Sequence, residues 1–545
     1  MTAASPASAD TAPRTVDVVV IGAGFSGMYM LHRLRQQGRS VQVFEAADGV
    51  GGTWYWNRYP GARCDVASMD YSYSFDPELE QEWQWTEKYP TQPEILRYAN
   101  HVADRFDLRK DMQFGTRVTA TVWDDGESRW RVRTDRGDDV SARFVVHASG
   151  CLSIWKKPEI PGLESFRGAW YHTARWPHEG VDFTGQRVGV IGTGSSAIQS
   201  IPLIAQQAAE LTVFQRTPNF AIPANNHPMP PGFQEELKSR YREYREQAKV
   251  SMLGVPVAPP EIGALEADEE ERRRTYERAW SDPQNSLASM YLAFADTLVD
   301  QGSNDTAAEF VRERIREIVH DPDVAEALCP KDYPICTKRL CVATDYYETY
   351  NRDNVHLVDL KKSPLVEITP AGVRTTDREY ELDSLVLATG FDAQTGALTS
   401  IDIRGRDGLR LADHWSAGPR SYLGIGVAGF PNMFIITGPQ SPSVLTNMMA
   451  AIEQHVEWVA DCIRFAVERD LRVVEPTPEA EQAWVEHNEE VADATLFPSS
   501  NSWYLGSNVE GKPRVFMPYI GGLGPYRQRC DEVAGKDYEG FVLAG

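Results

Sequence analysis

The sequence predicts an α/β protein with two Rossmann-like dinucleotide-binding domains, one inserted in the other, and a helical excursion. In VDVVVIGAGFSGMYMLHRLRQQG (16–38) a β-branched run leads through a glycine turn into an apolar-periodic helix. RVGVIGTGSSAIQSIPLIAQQA (187–208) repeats that order. Two apolar strands that end in glycine, in 142–150 and 383–392, lie between and beyond these units and indicate that one domain is nested in the other.

The nesting predicts the domain organisation of the chain. The first stretch is rich in Ala, Ser, Thr and Pro, which is typical of a disordered tail. The predicted parts are a tail over 1–15, a first domain over 16–155 and 388–545, a second over 156–224 and 331–387, and a helical subdomain over 225–330. Within that subdomain, Thr306 and Glu309 form a predicted capping box in front of an apolar-periodic helix.

Composition excludes several classes of function. The chain has 545 residues and a net charge of −23, a sign that argues against a phosphate-tracking nucleic-acid partner. The sequence has no signal peptide pattern and no run of 18 apolar residues. The seven cysteines lack metal spacing and CxxC pairs, so we expect buried free thiols and no metal. We expect a cytoplasmic protein without a membrane or nucleic-acid partner, as a monomer or weak homo-oligomer.

The first glycine turn, GAGFSG, predicts an FAD site. Gly22 makes the tight turn, Gly24 lets the backbone approach a pyrophosphate, and Gly27 lets the helix pack on the strand. Glu45 follows Gly22 by 23 residues, at the end of the next strand, where its carboxylate can bind ribose hydroxyls. Phe25 and Ser26 lie in the same turn and are also expected to contact FAD.

An aromatic stretch after this unit favours a flavin as the bound group. DGVGGTWYWNRYPGARCD (48–65) contains tandem glycines followed by several aromatic rings that could wrap a flat ring system. The alternative is that these rings are anchors of the core or of an interface. The expected cofactor contacts here are Thr53, Trp54 and Trp56.

The second turn, GTGSSA, predicts an NADP(H) site. It keeps Gly192 and Gly194 and carries Ala197 as an accepted replacement for the third glycine. Gln215 stands where the first unit has its acid, and Arg216 follows, which suits a 2′-phosphate. The alternative is that Arg216 is a solvated strand end. Further expected contacts are Thr193, Ser195, Ser196, Gln199 and Thr217.

FRGAWYHTARWP (166–177) lies directly before the second unit. Its Phe166, Gly168, His172, Trp176 and Pro177 match the FxGxxxHxxxWP signature, and the chain resembles the Baeyer–Villiger monooxygenases over nearly its whole length after the tail. The resemblance is closest to the phenylacetone and steroid monooxygenase branch, notably in TGPQSPSVLTNM (437–448). In that family this segment couples cofactor binding to domain movement. We therefore interpret His172 as a hydrogen-bonded hinge residue rather than a general base.

The resemblance implies the reaction. A flavoprotein of this family inserts one oxygen atom of O₂ next to a ketone carbonyl and forms an ester or lactone. NADPH reduces FAD, a C4a-peroxyflavin attacks the ketone, and a fixed cation stabilises the negative charge. By resemblance, the cation is Arg339 and its carboxylate partner is Asp65. Both residues are also expected to contact the cofactors.

The resemblance also implies the remaining contacts. Lys338 is expected near the phosphates of NADP and Trp503 over the bound nucleotide. Tyr71, Val118 and Met448 are expected against FAD. Ser441, Val444 and Leu445 belong to a loop that shapes the substrate pocket in relatives.

Three other functions are open to test. A flavin monooxygenase that oxidises nitrogen or sulfur nucleophiles shares both glycine turns, but its linker normally lacks the Trp176–Pro177 ending. A flavoprotein disulfide reductase needs a redox CxxC, which the sequence lacks. A non-enzymatic flavin sensor has no reason to combine Arg216, Lys338 and Arg339 with a second nucleotide site.

Overall fold

The computed structural model describes residues 13–283 and 287–545. Residues 1–12 of the predicted tail lie outside the described residues. The end of the tail is corrected, because Arg14 and Thr15 already pair with Val140 and Ser141 as part of the first strand. In chain order the first part of the chain forms β1 (Arg14–Ile21), α1 (Phe25–Gln36), β2 (Val41–Phe44), α2 (Thr53–Trp56), α3 (Pro77–Glu82), α4 (Gln92–Arg105), β3 (Met112–Gln113), β4 (Val118–Asp124), β5 (Arg129–Thr134), β6 (Asp139–His147) and β7 (Ala169–His172).

The middle of the chain holds the second strand–turn–helix unit and the helices that follow it. Its elements are β8 (Arg187–Ile191), α5 (Ser195–Gln207), β9 (Glu210–Gln215), β10 (Ala221–Pro223), α6 (Phe233–Ser239), α7 (Tyr241–Val250), α8 (Glu269–Ser281), α9 (Leu287–Tyr291), α10 (Gln301–Ile318), α11 (Pro322–Leu328), β11 (Cys341–Ala343), α12 (Tyr346–Thr349), β12 (Val355–Asp359), β13 (Leu365–Thr369), β14 (Gly372–Thr375), β15 (Glu379–Glu381) and β16 (Ser384–Leu387).

The last part of the chain adds two strands to the first sheet and the longest described helix. Its elements are α13 (Gly396–Thr399), β17 (Asp402–Arg404), α14 (Leu411–His414), β18 (Met433–Ile435), α15 (Met448–Glu468), β19 (Val473–Pro476), α16 (Pro478–Asp493), α17 (Leu523–Gly535) and β20 (Phe541–Ala544).

Two sheets carry the two glycine turns, which confirms the predicted fold class. In the first sheet β18, β6, β1, β2 and β3 are parallel neighbours, and the hairpin β4–β5 with β17 extends it. The second sheet has the order β12-β9-β8-β16-β7 and is parallel throughout. Parallel strands bring their carboxyl ends, and hence the loops after them, to one edge of the sheet.

The strand pairings show how the chain passes between the sheets. It leaves the first sheet after β6, builds the second, and returns to the first with β17 and β18. Where the two crossing segments meet, the amide of Lys156 donates to Gly390 O and the amide of Gln394 donates to Cys151 O, at 3.2 and 2.9 Å. The domain bounds given above stay a prediction.

The helices α6–α11 occupy the stretch for which a helical excursion is predicted. Tyr276, Phe310 and Val311 share one buried cluster with Val188 and Val213 of the second sheet. The predicted capping box is wrong: α10 begins earlier, and Asp300 caps it by accepting from the amide of Ser303. Several Asp, Ser and Thr residues precede the apolar positions, so the sequence offers more than one cap.

Two expectations about composition have a structural outcome. All seven cysteines are buried and free, as predicted. Among the described helices, none is long and apolar enough to cross a membrane.

Gly27 is the position where the first unit tolerates least change. A Cβ there would lie 1.9 Å from Gly22 O, whereas a Cβ on Gly194 of the second unit would meet nothing within 4 Å. We expect Gly27→Ala to lower the free energy of unfolding by about 1–3 kcal/mol or more, because backbone must move. Gly194→Ala is the matched control and should cost at most about 1 kcal/mol. Thermal unfolding of both variants checks this, and equal losses would contradict it.

Candidate functional site

The first glycine turn brings two glycines together at the start of α1. The helix begins after Gly24, which has no side chain to cap it. Gly24 and Gly52 face each other so closely that a Cβ on Gly52 would lie 2.9 Å from Gly24 Cα. The uncapped amides of a helix N-terminus attract an anion, so this cradle fits the pyrophosphate of a dinucleotide.

Glu45 lies directly after β2, beside that cradle. It is buried, and its two carboxylate oxygens accept from the amides of Ala23 and Ala47, each at 2.7 Å. Burial raises the pKa of Glu45, although these amides oppose the effect. The backbone thus orients the carboxylate, while each oxygen keeps a second lone pair for a ribose hydroxyl.

The aromatic stretch packs over the start of α1. Trp54 Nε1 donates to the hydroxyl of Tyr71 at 2.9 Å, and Phe25 and Trp54 both meet the Tyr71 ring edge-on. Burial raises the pKa of Tyr71 well above its ordinary value, so its hydroxyl stays protonated. Ser26 is buried in the first turn of α1, whereas Thr53 and Trp56 are half-buried. These residues therefore pack in the core and also lie beside the cradle.

Two expected flavin contacts lie farther along the chain. Val118 is buried in the core of the first sheet. It lies two residues after Thr116, whose backbone amide donates to the backbone carbonyl of Glu45 at 2.8 Å. Met448 is the first residue of α15 and packs against the buried clusters of both sheets. The cofactor contacts of both residues stay predictions.

The second turn repeats the cradle at α5. The helix begins after Gly194, again with no capping side chain and with free space where a Cβ would stand. Ala197 is fully buried at the third glycine position. The turn therefore also fits a pyrophosphate.

The polar side chains around α5 connect this turn to its neighbours. Gln199 joins the two glycine-turn regions, because it accepts from the Tyr59 hydroxyl at 2.9 Å and donates to Arg63 O at 3.0 Å. The other expected contacts form local hydrogen bonds, namely Thr193 to Thr217 O, Ser196 to Thr173, and Ser195 with Cys341.

Two cations lie together beyond the second turn. Arg216 is exposed directly after β9, and Lys338 is half-buried. Burial and the charge of Arg216 lower the pKa of Lys338, with Lys361 adding to the repulsion and Asp332 opposing it. In the described ranges neither Arg216 nor Lys338 forms an ion pair within hydrogen-bonding reach. Two neighbouring cations without a close ion pair fit a phosphate.

His172 is buried at the end of β7 and connects the linker to the crossing segment. Its Nδ1 accepts from the amide of Ala174, and its Nε2 lies 3.1 Å from the Thr389 hydroxyl. Burial, with the charge of Arg175, lowers the pKa of His172 to about 4. The neutral ring thus carries its proton on Nε2 and donates it to Thr389, which agrees with the hinge interpretation.

The other signature residues serve packing. Phe166 and Trp176 are buried, and a Cβ on Gly168 would lie 2.3 Å from Asp383 O. Trp176 packs against Tyr171 and Phe183 at ring distances of 5.6 and 6.1 Å. The cluster fixes the linker against the second sheet.

Arg339 and Asp65 form a two-point ion pair across 274 residues of sequence. Nε and Nη2 of Arg339 donate to Asp65 Oδ2 and Oδ1 at 2.8 and 2.6 Å, and Nη1 donates to Val444 O at 2.7 Å. Burial disfavours the charge of Arg339, but Asp65, Tyr504 and Tyr291 together outweigh burial and raise the pKa of the guanidinium. Because a guanidinium has five N–H groups, two remain to bind a reacting oxygen.

A cavity of about 250 Å³ opens beside this ion pair. Leu445 lines it together with Arg339 and Asp65, and helices α6, α7 and α9 contribute its outer wall. The side chain of Val444, which was also predicted for the pocket, is absent from the cavity wall, and its carbonyl accepts from Arg339. Ser441 differs from expectation, because its side chain is fully buried, donates to Gly438 O and is absent from the cavity wall.

Sequence reasoning missed two tyrosines near Arg339. Tyr291 lines the cavity, and Tyr504 is fully buried beside Trp503, with their rings 4.2 Å apart. Burial raises the pKa of Tyr504 to about 12, although Arg339 opposes this. Tyr504 adjoins a predicted site residue, whereas no motif marks Tyr291.

Two side-chain amides near the crossing segments have buried atoms without partners among the described residues. Both amide atoms of Gln394 and Oδ1 of Asn508 have no hydrogen-bond partner among the described residues. Asn508 Nδ2 donates to Phe391 O, which places both side chains at the same crossing. A planar ring carrying donors and acceptors, such as a nicotinamide or flavin, would satisfy them.

Comparisons with known proteins support one family. A family model described as pyridine nucleotide-disulphide oxidoreductase matches residues 19–255. An acetone monooxygenase (methyl acetate-forming) from Gordonia sp. (strain TY-5) is 44% identical over 97% of this chain and 99% of its own. A Baeyer-Villiger monooxygenase from Pseudooceanicola batsensis is 43% identical over 96% of each. A structure of oxidized steroid monooxygenase bound to NADP is 56% identical, with a TM-score of 0.93 over 97% of this chain and 99% of that one.

The neutral state of His172 predicts a pH dependence of stability. Its pKa is about 4 in the folded chain and 6.5 when exposed, so the unfolded chain binds the extra proton between these values. The contribution of His172 to the free energy of unfolding is complete above pH 6.5 and falls by about 3 kcal/mol as the pH drops to 4. His172→Gln keeps a donor for Thr389 but cannot titrate. Its unfolding midpoint should fall less steeply with acid than that of the wild type; identical slopes would contradict the assignment.

The Arg216 and Lys338 cluster predicts cofactor preference. Arg216→Ala should raise KM for NADPH roughly tenfold to a hundredfold and leave KM for NADH nearly unchanged, because only NADPH carries the 2′-phosphate. Arg378→Ala removes an exposed charge elsewhere in the second domain and serves as the control. Steady-state kinetics with both nucleotides checks this. Equal effects on both would show that Arg216 does not read the phosphate.

Proposed function

The chain belongs to the Baeyer–Villiger monooxygenase family, and we propose that Arg339 and Asp65 are the central side chains of its reaction. The function predicted from the sequence is confirmed by the relatives: one oxygen atom of O₂ enters beside a ketone carbonyl and yields an ester or lactone. FAD and NADP(H) are confirmed as cofactors. Oxidation of nitrogen or sulfur nucleophiles is the less supported alternative.

The cofactor assignments follow from the two cradles. The Gly24–Gly52 cradle with Glu45 fits FAD, and the Gly194 cradle with Arg216 and Lys338 fits NADP(H). When bound, FAD reduced by NADPH supplies the activated oxygen. The chain supplies binding, orientation and electrostatics.

Arg339 provides the positive charge at the reacting centre. Oxygen insertion places negative charge on the former carbonyl oxygen, and preorganised donors stabilise such charge most strongly in a site that excludes water. The two remaining N–H groups of Arg339 suit this role because three contacts already fix the guanidinium plane. That geometry is the observation that carries the proposal.

Asp65 acts as a positioning residue for Arg339. Its two oxygens hold Nε and Nη2 in one plane and favour the charged form of the guanidinium. The mostly apolar cavity wall keeps water from the reacting atoms. Ketones that fit this cavity are the proposed substrates.

Arg339→Ala tests the proposal. Ester formation should fall by about 10²–10³ or more, because the developing charge loses its partner. Reduction of FAD by NADPH should remain detectable, since the two cradles and Arg216 arrange that step. Stopped-flow reduction and product chromatography on the same variant separate the two.

Asp65→Ala is the matched variant and should lose less ester formation, because it only releases the orientation of Arg339. Arg339→Lys should recover part of the rate that Arg339→Ala loses, because it restores the positive charge without the planar two-point geometry of a guanidinium. Ester formation near the wild-type rate in Arg339→Ala would refute the assignment.

A further inference from the structure

A second acidic side chain, Asp70, lines the cavity that contains Arg339 and Asp65. Asp70 is only 6% exposed, and its Oδ1 has no hydrogen-bond partner in the part of the chain that the structure describes. The neighbouring cation, Arg245, does not bind this carboxylate. Its donors go to the backbone carbonyl of Asp70 and to other side chains, Glu80, Ser72 and Tyr241.

The fold uses the backbone of Asp70 more fully than its carboxylate. The carbonyl of Asp70 accepts from Arg245 Nη1 at 3.1 Å and from Asn447 Nδ2 at 2.9 Å, which holds the turn in place. Any residue could supply that carbonyl. Burial raises the pKa of the Asp70 carboxyl to about 6, opposed by the charge of Arg245 and by a hydrogen bond with the Tyr244 side chain. One such contact leaves most acceptor positions of the carboxylate unused, and a buried carboxylate with too few partners costs stability.

Four other residues that can carry charge line the cavity, namely Asp65, Lys88, His227 and Arg339. Most of the lining side chains are apolar and come from the 66–69 turn, the excursion and the C-terminal part, among them Val66, Met69, Phe233, Leu253, Val255 and Leu298. A ketone whose other groups are purely hydrocarbon would leave the remaining acceptor positions of Asp70 unused. A substrate with a hydrogen-bond donor would fill one of them.

We propose that Asp70 accepts a hydrogen bond from a hydroxyl or N–H group of the substrate, so that preferred substrates are ketones with a second, hydrogen-bond-donating group. This inference rests on the proposed function, which places the ketone in this cavity. Arg339 and Asp70 line the same cavity, so a molecule that fills it can contact both.

Matched ketones test the proposal with the holoenzyme. Benzylacetone lacks a donor, its meta- and para-hydroxy derivatives carry one, and the corresponding methoxy compounds carry an acceptor only. In the wild type, kcat/KM for at least one hydroxy isomer should exceed that of its methoxy and unsubstituted partners by roughly tenfold to a hundredfold. Asp70→Leu should abolish this preference, so that the hydroxy, methoxy and unsubstituted ketones are converted with similar kcat/KM.

Controls separate recognition from folding. Asp70→Asn keeps the shape and removes the buried charge, so its thermal midpoint should equal or exceed that of the wild type while the preference falls. Met69→Leu changes a neighbouring wall residue and should leave the ratio between hydroxy and methoxy ketones unchanged.

Binding gives an independent readout. The hydroxy isomer should raise the thermal midpoint of the wild type more than its methoxy analogue does, and this difference should vanish in Asp70→Leu. Equal handling of all isomers by the wild type, or a preference that persists in Asp70→Leu, would overturn the proposal. If no ketone yields ester, the proposed function fails, and the binding comparison still decides the role of Asp70.

Discussion

The two-point ion pair between Arg339 and Asp65 is the contact on which the site depends. Asp65 lies in the segment after the first glycine unit, Arg339 precedes β11, and Val444, which completes the contact, lies just before α15. Three distant segments therefore have to meet before the guanidinium is oriented. Because the ion pair is partly desolvated, loss of either partner would leave a charge that the surroundings do not compensate.

The two crossing segments and Gln199 bring these parts together. Gln199 on α5 reaches the loop that leads to Asp65, and Gly61 allows this approach, since a Cβ there would lie 2.3 Å from Gln199 O. His172 links the linker strand to Thr389 on the crossing segment. The second glycine turn is thus linked by hydrogen bonds to the segment that leads to Asp65.

Buried polar atoms without a partner among the described residues occur at several places, and two of these places adjoin the site. Gln394 and Asn508 lie at the crossing, where a ring carrying donors and acceptors would complete their hydrogen bonds. Asp70 lies on the wall of the cavity, where a substrate would do so. In both places a buried group without its full set of hydrogen bonds destabilises the protein until a ligand supplies the missing bond. Ligands that supply this bond are therefore favoured over those that do not.

The sequence by itself predicted the fold class, and its resemblance to a known family implied the reaction; both are confirmed, whereas the residues of the two nucleotide sites stay predictions. Strand–turn–helix units and their glycines are local patterns, because the tight turn and the helix packing involve residues close together in the chain. Pairing of Asp65 with Arg339 was implied by resemblance. The predicted start of α10 was wrong because several residues could cap this helix. The predicted tail was two residues too long.

Only the tertiary structure decided which side chains face the cavity. Tyr291 and Asp70 line it and Ser441 does not, although no local pattern distinguishes them. These residues come from separate parts of the chain, and their orientation follows from the packing of the excursion against the first sheet. Burial and long-range hydrogen bonding depend on contacts between segments hundreds of residues apart, and a local pattern carries no information about them.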